Sequence, residues 1–85
     1  MFSFSLFLYM IKVSTKTYRQ LCQLLGRRVH FKSDCEFFPN FDVIGKVIEI
    51  HIGNNLETIF KFLHLNGKVI EIGSNMKNLR YELLN

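Results

Sequence analysis

The chain has 85 residues, of which 48% are hydrophobic, nine are Phe and two are Cys, and its formal net charge is +4. This length allows one domain with one small core, and the apolar content excludes a disordered chain. Two cysteines are too few for a disulfide framework, and no CxxC or HxxxH pair is present, so no metal or cofactor is predicted. A metal site assembled in space from Cys35 and the three histidines is the open alternative.

The charge is unevenly distributed along the chain. Residues 1–33 carry six basic side chains and no acidic one, whereas residues 34–85 carry five basic and seven acidic ones. Such an asymmetry can give one face of the fold a positive potential, which favours nucleic acid or an acidic protein surface as the partner. The alternative is charge that serves only solubility.

The first eleven residues, MFSFSLFLYMI, are uncharged. The run is shorter than the about 20 apolar residues of a membrane-spanning helix, and it lacks the basic start and the cleavage site of a signal peptide. We therefore expect no spanning segment and a cytoplasmic, reduced protein. Three interpretations stay open: an edge strand, an apolar segment that docks on a partner or a membrane surface, or a natural start at Met10. Residues 1–13 are thus predicted to form a strand or extension, and residues 14–85 a single domain.

A short amphipathic helix is predicted to follow. Thr15 or Thr17 is a suitable N-cap, and Gly26 occupies the position of a C′ glycine. The apolar stripe of this helix, at i, i+3, i+4 and i+7, comprises Tyr18, Leu21, Cys22 and Leu25.

The remainder is predicted to be mostly β. Strands are expected at residues 29–33, 43–52 and 79–84, with a tight turn or one 3₁₀ turn at residues 73–78. In the second of these strands, one face carries Ile44, Ile48, Ile50 and Ile52, and the other carries Val47, Glu49 and His51.

The hexapeptide GKVIEI occurs twice, at residues 45–50 and 67–72. We expect two strands with the same role, in which the glycine bends the strand, alternate isoleucines point inward and the glutamate points outward. The segment between the copies fits a helical stripe, but the Asn66-Gly67 dipeptide is a strong hairpin signal and its Thr, Ile and Phe residues favour a strand. A β-meander is therefore predicted, with a helix at residues 56–65 as the alternative.

Four features follow one another in the order of a known fold: GRRVHF at residues 26–31, the Gly45 bend in a long strand, the Asn66-Gly67 hairpin, and the turn at residues 73–78. Over residues 14–84 this order resembles the small SH3-like and Sm-like barrels. The resemblance implies an α+β, mostly β fold, with an N-terminal amphipathic helix followed by a five-stranded SH3-like barrel or a strongly bent antiparallel sheet. It also implies a function in binding peptides, RNA, DNA or other proteins, which only the site can specify. The Sm signature is absent at the ligand-binding loops, so ring assembly and uridine binding are not expected.

No catalytic arrangement is predicted. Ser33, Asp34 and Cys35 lie near His30 in sequence, but nothing supplies an oxyanion hole and strand neighbours point to opposite faces. The carboxylates around residues 34–42 are those of a solvated loop, and no glycine-rich phosphate loop exists. The protein is therefore expected to be a binding module and not an enzyme.

Two candidate binding sites emerge. A basic surface around the helix could contact phosphates or an acidic partner, with Tyr18, His30 or Phe31 available for stacking; it comprises Lys16, Arg19, Arg27, Arg28 and Lys32. The loop after the first internal strand corresponds to the peptide-binding loop of SH3-like barrels; its candidate residues are Asp34, Glu36, Phe37, Phe38 and Asp42. The alternative for its aromatic residues is closure of the barrel end.

Two functional hypotheses result. The first is a nucleic-acid-binding module that uses the basic helix surface. The second is a protein-interaction module, such as a phage-type inhibitor or adaptor of a host protein or nuclease complex, because the Lys-, Asn-, Ile- and Phe-rich usage is similar to that of short phage and mobile-element proteins. An exposed edge strand would also allow homo-oligomers.

Overall fold

The computed structural model describes residues 10–34 and 41–84. Six strands in these residues form one antiparallel sheet with the order β1-β6-β2-β3-β4-β5. The elements are β1 (Ile11–Lys12), α1 (Tyr18–Leu21), β2 (Arg28–Ser33), β3 (Phe41–Ile52), β4 (Thr58–His64), β5 (Val69–Gly73) and β6 (Arg80–Leu83), with 3₁₀ turns at Val13–Thr15 and Cys22–Leu24. The fold is mostly β, as predicted, but the described sheet is open, with β1 and β5 at its edges, so the closed barrel is wrong.

The predicted amphipathic helix is also wrong in extent. Thr17 caps α1, because its hydroxyl accepts from the backbone N–H of Gln20 while the Gln20 side chain accepts from the N–H of Thr17. One α-helical turn and one 3₁₀ turn follow before Gly26, which has φ +79. The 3₁₀ turn brings Leu21 and Leu24 onto the same side and buries both, while Leu25 is 53% exposed. The predicted stripe through Leu25 therefore does not form.

The sheet has a sixth strand because β1 pairs with β6 at one edge, with Ile11 opposite Tyr81 and Lys12 opposite Arg80. The prediction of five strands placed residues 1–13 outside the domain, so it did not include β1. The interpretations of residues 1–9 fall outside the described residues.

The core lies on one face of the sheet, which we call the core face. It is built around Phe31, whose ring centroid lies 5.1 Å from that of Phe60 and 5.3 Å from that of Phe62. The segment around α1 packs on this face through Leu21 and Leu24. The buried apolar residues are Val13, Leu21, Leu24, Val29, Phe31, Val47, Phe60, Phe62, Ile72, Leu79 and Tyr81.

A β-bulge in β3 changes which of its side chains face the core. The register with β4 shifts between Val47 and Glu49. Before the shift, Val47 faces the core and is fully buried; after it, Ile50 packs against the core while Ile48 is 43% exposed. Because a bulge shifts the alternation by one residue, the prediction of one isoleucine face with Val47 opposite is wrong.

The two GKVIEI copies lie on either side of β4. Their glutamates, Glu49 and Glu71, both stand opposite Lys61, and their last isoleucines both stand opposite Phe60. Their glycines differ, because one lies inside β3 whereas Gly67, with φ +89, belongs to a hairpin turn. The copies therefore share their register over the last two positions only, and the predicted common role of the glycines is wrong.

The β-meander is confirmed, because β3, β4 and β5 are consecutive antiparallel neighbours and residues 58–64 are a strand. Two hairpins of the same geometry connect them. Gly67 N–H donates to His64 O at 2.9 Å, and Leu56 N–H donates to Gly53 O at 3.0 Å. Residues 74–78 form turns and a bend, within the predicted segment 73–78, and β6, the last described strand along the chain, lies between β1 and β2.

Candidate functional site: a cationic groove on the outer face

The face of the sheet opposite the core, here the outer face, carries part of the basic charge. In β2, Val29 and Phe31 are fully buried on the core face, so strand alternation places Arg28, His30 and Lys32 on the outer face. This alternation determines which of the predicted basic residues lie together.

Arg28 and Lys46 are direct partners in the antiparallel pairing of β2 with β3. Both side chains are exposed, and within residues 10–34 and 41–84 no carboxylate forms an ion pair with either. Like charges directly opposite each other destabilise a sheet. An unneutralised cationic pair on the outer face, at the start of β2, is therefore an unusual feature for which a bound anion would compensate.

The pair belongs to a row that crosses four strands, which we call the cross-strand row. Lys46 stands opposite Leu63 of β4, and Leu63 stands opposite Val69 of β5. Leu63 is 37% exposed and Val69 is 54% exposed. The row thus changes from cationic to aliphatic between two adjacent strands, which lie about 4.8 Å apart.

Around this row the structure forms an open groove of about 570 Å³. The segment after α1, the middle of β3 and the hairpin between β4 and β5 form its walls. The groove is lined by Gly26, Arg28, Gly45, Lys46, Leu63, His64, Leu65 and Gly67. In this set of described residues there is no carboxylate, hydroxyl or thiol.

Backbone hydrogen bonds hold the walls in place. Gly26 N–H donates to Val47 O at 2.7 Å and Val47 N–H donates to Arg27 O at 3.1 Å, which extends the pairing of β2 with β3 toward α1. Leu65 N–H donates to Ile44 O at 3.2 Å and fixes the hairpin on the other side. Gly45 allows the close approach of β3 and β4, because an added Cβ there would overlap the carbonyl oxygen of Leu63.

His64 is the last residue of β4 and lies at the groove. Asn66 N–H donates to His64 Nδ1 at 3.1 Å, so the proton of the neutral imidazole resides on Nε2. The guanidinium of Arg28 and the ammonium of Lys46 are therefore the charged donors of the groove, whereas His64 pairs with Gly45 and shares the strand alternation of Phe60 and Phe62. Such a pair of charged donors suits an anion with several oxygens, above all a phosphate.

The structure divides the predicted basic surface. Arg28 lines the groove and Lys32 lies on the same outer face, whereas Lys16 and Arg19 belong to the segment that packs on the core face. Arg27 lies in the bend before β2, is exposed and does not line the groove. The helix side and the groove are thus separate surfaces.

The aromatic residues expected to help with stacking are not in the groove. Phe31 is fully buried in the core. Tyr18 is 38% exposed on α1, where its hydroxyl lies 3.5 Å from Ile50 O and a hydrogen bond with Cys22 raises its pKa. Sequence reasoning missed Lys46 and His64, because they join Arg28 only through strand pairing.

Two acidic residues of the predicted peptide-binding loop, Asp34 and Asp42, make internal contacts. Asp34 accepts hydrogen bonds from Asn78 Nδ2 at 2.7 Å and from Arg80 Nη2 at 3.0 Å, and the bond from Asn78 is the main reason that the pKa of Asp34 lies below its usual value. Asp42 forms a hydrogen bond with His30 Nε2, and His30 Nδ1 lies 3.7 Å from Glu82 Oε1. Glu36, Phe37, Phe38 and the alternative metal ligand Cys35 lie outside the described residues.

Across the described parts of the chain, no helix has the length and apolar character needed to cross a membrane. The same residues contain no group of three or more His, Cys, Asp or Glu side chains placed to hold a metal ion. No protein-family model, curated protein or solved structure matches this chain.

Proposed function

We propose that this protein is a non-enzymatic module that binds nucleic acid by taking backbone phosphates into the cationic groove. The observation that carries the proposal is the direct pairing of Arg28 with Lys46, without a carboxylate partner among the described residues, on the floor of a groove. A phosphate between the two side chains would remove their repulsion and accept several charge-assisted hydrogen bonds.

The groove suits a phosphate better than two other basic positions of the sheet, Arg80 and Lys61, do. Arg80 is already paired with Asp34, at 3.0 Å, so its charge is partly neutralised. Lys61 lies between two glutamates, with its Nζ 3.9 Å from Glu49 Oε1. Arg28 can offer two parallel N–H groups to an anion, which a lysine cannot. We therefore place the proposed phosphate-binding site in the groove and not on the basic helix surface that the sequence predicted.

The test is a titration of labelled DNA and RNA at several salt concentrations with Lys46→Glu and Arg19→Glu. The two substitutions change the net charge equally, but Arg19 lies on α1 and outside the groove. We expect wild-type binding that weakens steeply with salt, a loss of about tenfold or more for Lys46→Glu, and a much smaller loss for Arg19→Glu. Equal losses would show that net charge alone drives binding, and absence of binding at low salt would refute the proposal.

A second candidate function is protein interaction, which the exposed apolar residues beside the groove favour. Leu65 is 69% exposed, and β5 is an edge strand of the sheet formed by the described residues, to which an extended segment of a partner or of a second copy could add. Light scattering across a concentration series tests the second copy: a stable dimer would support edge pairing, and a monomer throughout would oppose it.

A further inference from the structure

We infer that the nucleic acid taken by the groove is a single strand and not a duplex, an inference that rests on the proposed function. The inference is drawn from the cross-strand row, in which two cationic residues on β2 and β3 are adjacent to two exposed aliphatic residues on β4 and β5. Arg28 and Lys46 form the cationic half, and Leu63 and Val69 form the aliphatic half.

The shape of the site is the first argument. A groove of about 570 Å³ falls within the range of about 300–1,000 Å³ that holds one small ligand, such as a single nucleotide unit. Duplex DNA is usually read by an element that enters its major groove, which is about 12 Å wide. Here the paired cations line a concavity, which a strand can enter.

The second argument is that cationic and aliphatic side chains lie next to each other in the cross-strand row. In a duplex the bases are stacked and paired, so the surface beside a phosphate is sugar and further phosphate. In a single strand a base can turn out and place its apolar face a short distance from its phosphate. A phosphate held by Arg28 and Lys46 would leave the attached sugar and base beside Leu63 and Leu65, which together form the aliphatic side of the groove.

The lining also indicates the kind of selectivity. None of the described lining residues is Phe, Tyr or Trp, so these residues supply no aromatic platform for strong base stacking. The groove should therefore bind a strand with little sequence preference, through phosphate contact and aliphatic packing.

The experiment measures fluorescence anisotropy of a labelled single strand of mixed sequence and of its blunt duplex, with wild-type protein and three variants. Lys46→Glu removes the cationic half, and Leu65→Ser removes exposed aliphatic surface from the groove. Leu56→Ser is the matched control, because Leu56 occupies a hairpin of the same geometry and is 86% exposed but lies outside the groove. Circular dichroism of each variant confirms folding.

We expect the wild type to bind the single strand about tenfold more tightly than the duplex. Leu65→Ser should weaken strand binding about fivefold, as expected from losing a modest apolar contact, while Leu56→Ser leaves it unchanged. Equal or tighter duplex binding that still depends on Lys46 would overturn this inference and leave the proposed function intact.

Two other outcomes would overturn both proposals. The first is no binding of either oligonucleotide at low salt. The second is Lys46-dependent binding of an acidic, leucine-containing peptide by a protein that does not bind the oligonucleotides, which would assign the groove to a protein partner.

Discussion

Arg28 and Lys46 stand directly opposite each other on the outer face, where two like charges repel across neighbouring strands. Elsewhere in the same sheet the equivalent cross-strand position is filled by an opposite charge, because Lys61 pairs with Glu49 at 3.9 Å. Opposite charges at such positions stabilise a sheet by about 0.2–1 kcal/mol, and like charges destabilise it. An acidic residue at position 46 would therefore favour stability, whereas the lysine favours anion binding.

Lys46→Glu should make the protein more stable while it weakens nucleic-acid binding. The substitution replaces a repulsive pair with an attractive one, so we expect the free energy of unfolding to rise by about 0.5–1 kcal/mol. Urea unfolding at low salt measures the gain, which added salt should reduce. A lower stability for Lys46→Glu would contradict the repulsion between the two cations.

Much of the strand content could be predicted from local sequence signals. Alternation predicted a strand close to β2, and the turn residues on either side of β4 predicted the meander in place of a helix. Alternation and turn residues are local features of a few residues. The predicted strands form in the structure because each has one apolar side to bury. The N-cap was predicted as Thr15 or Thr17, and the structure assigns it to Thr17, whose partner Gln20 is three residues away.

The bulge in β3 could not be predicted from the same signals. The hexapeptide GKVIEI places its third residue, Val47, opposite Phe62 in one copy and its fourth, Ile70, opposite Phe62 in the other. An identical local sequence thus has two alternations, and only the pairing with β4 distinguishes them. The groove could not be predicted from local sequence either, because Arg28, Lys46 and His64 come from three parts of the chain and are brought together only by strand pairing.

Gly45→Ala should be strongly destabilising. An added Cβ would overlap the backbone carbonyl of Leu63, which cannot move without breaking the pairing of β3 with β4. We expect a loss of about 2–3 kcal/mol, measured by thermal or urea unfolding. Gly73→Ala is the control, because the nearest atom to its added Cβ belongs to the flexible Asn75 side chain. Equal effects of the two substitutions would show that β3 and β4 can separate without cost.

Leu56→Gly should stabilise the hairpin between β3 and β4. Leu56 has φ +64, in the left-handed region, and its side chain is 86% exposed, so it contributes little packing in return. Relief of about 1–2 kcal/mol of strain exceeds the extra chain entropy of glycine, which leaves a net gain of about 0.5–1 kcal/mol.

The equivalent residue of the other hairpin is Gly67, with φ +89 and open space around its Cα. Gly67→Ala should therefore destabilise the protein by about 1 kcal/mol, through backbone strain alone. Urea unfolding of both variants checks the pair. Changes of the same sign would show that the conformation of the fourth turn residue is not what determines hairpin stability.

Asp34 should make stability depend on acid pH. The hydrogen bond from Asn78, together with Arg80, favours the ionised carboxylate in the folded protein and lowers the pKa of Asp34 below 3.8. Because the unfolded chain has the higher pKa, this contribution is fully present above 3.8 and is lost as the pH falls through the folded value. The wild type should thus be more stable than Asp34→Asn near neutral pH, and the difference should shrink in strong acid. Unfolding of both proteins in urea across this range measures it, and a difference that does not change with pH would show that the ionised carboxylate does not hold β2 to the turn before β6.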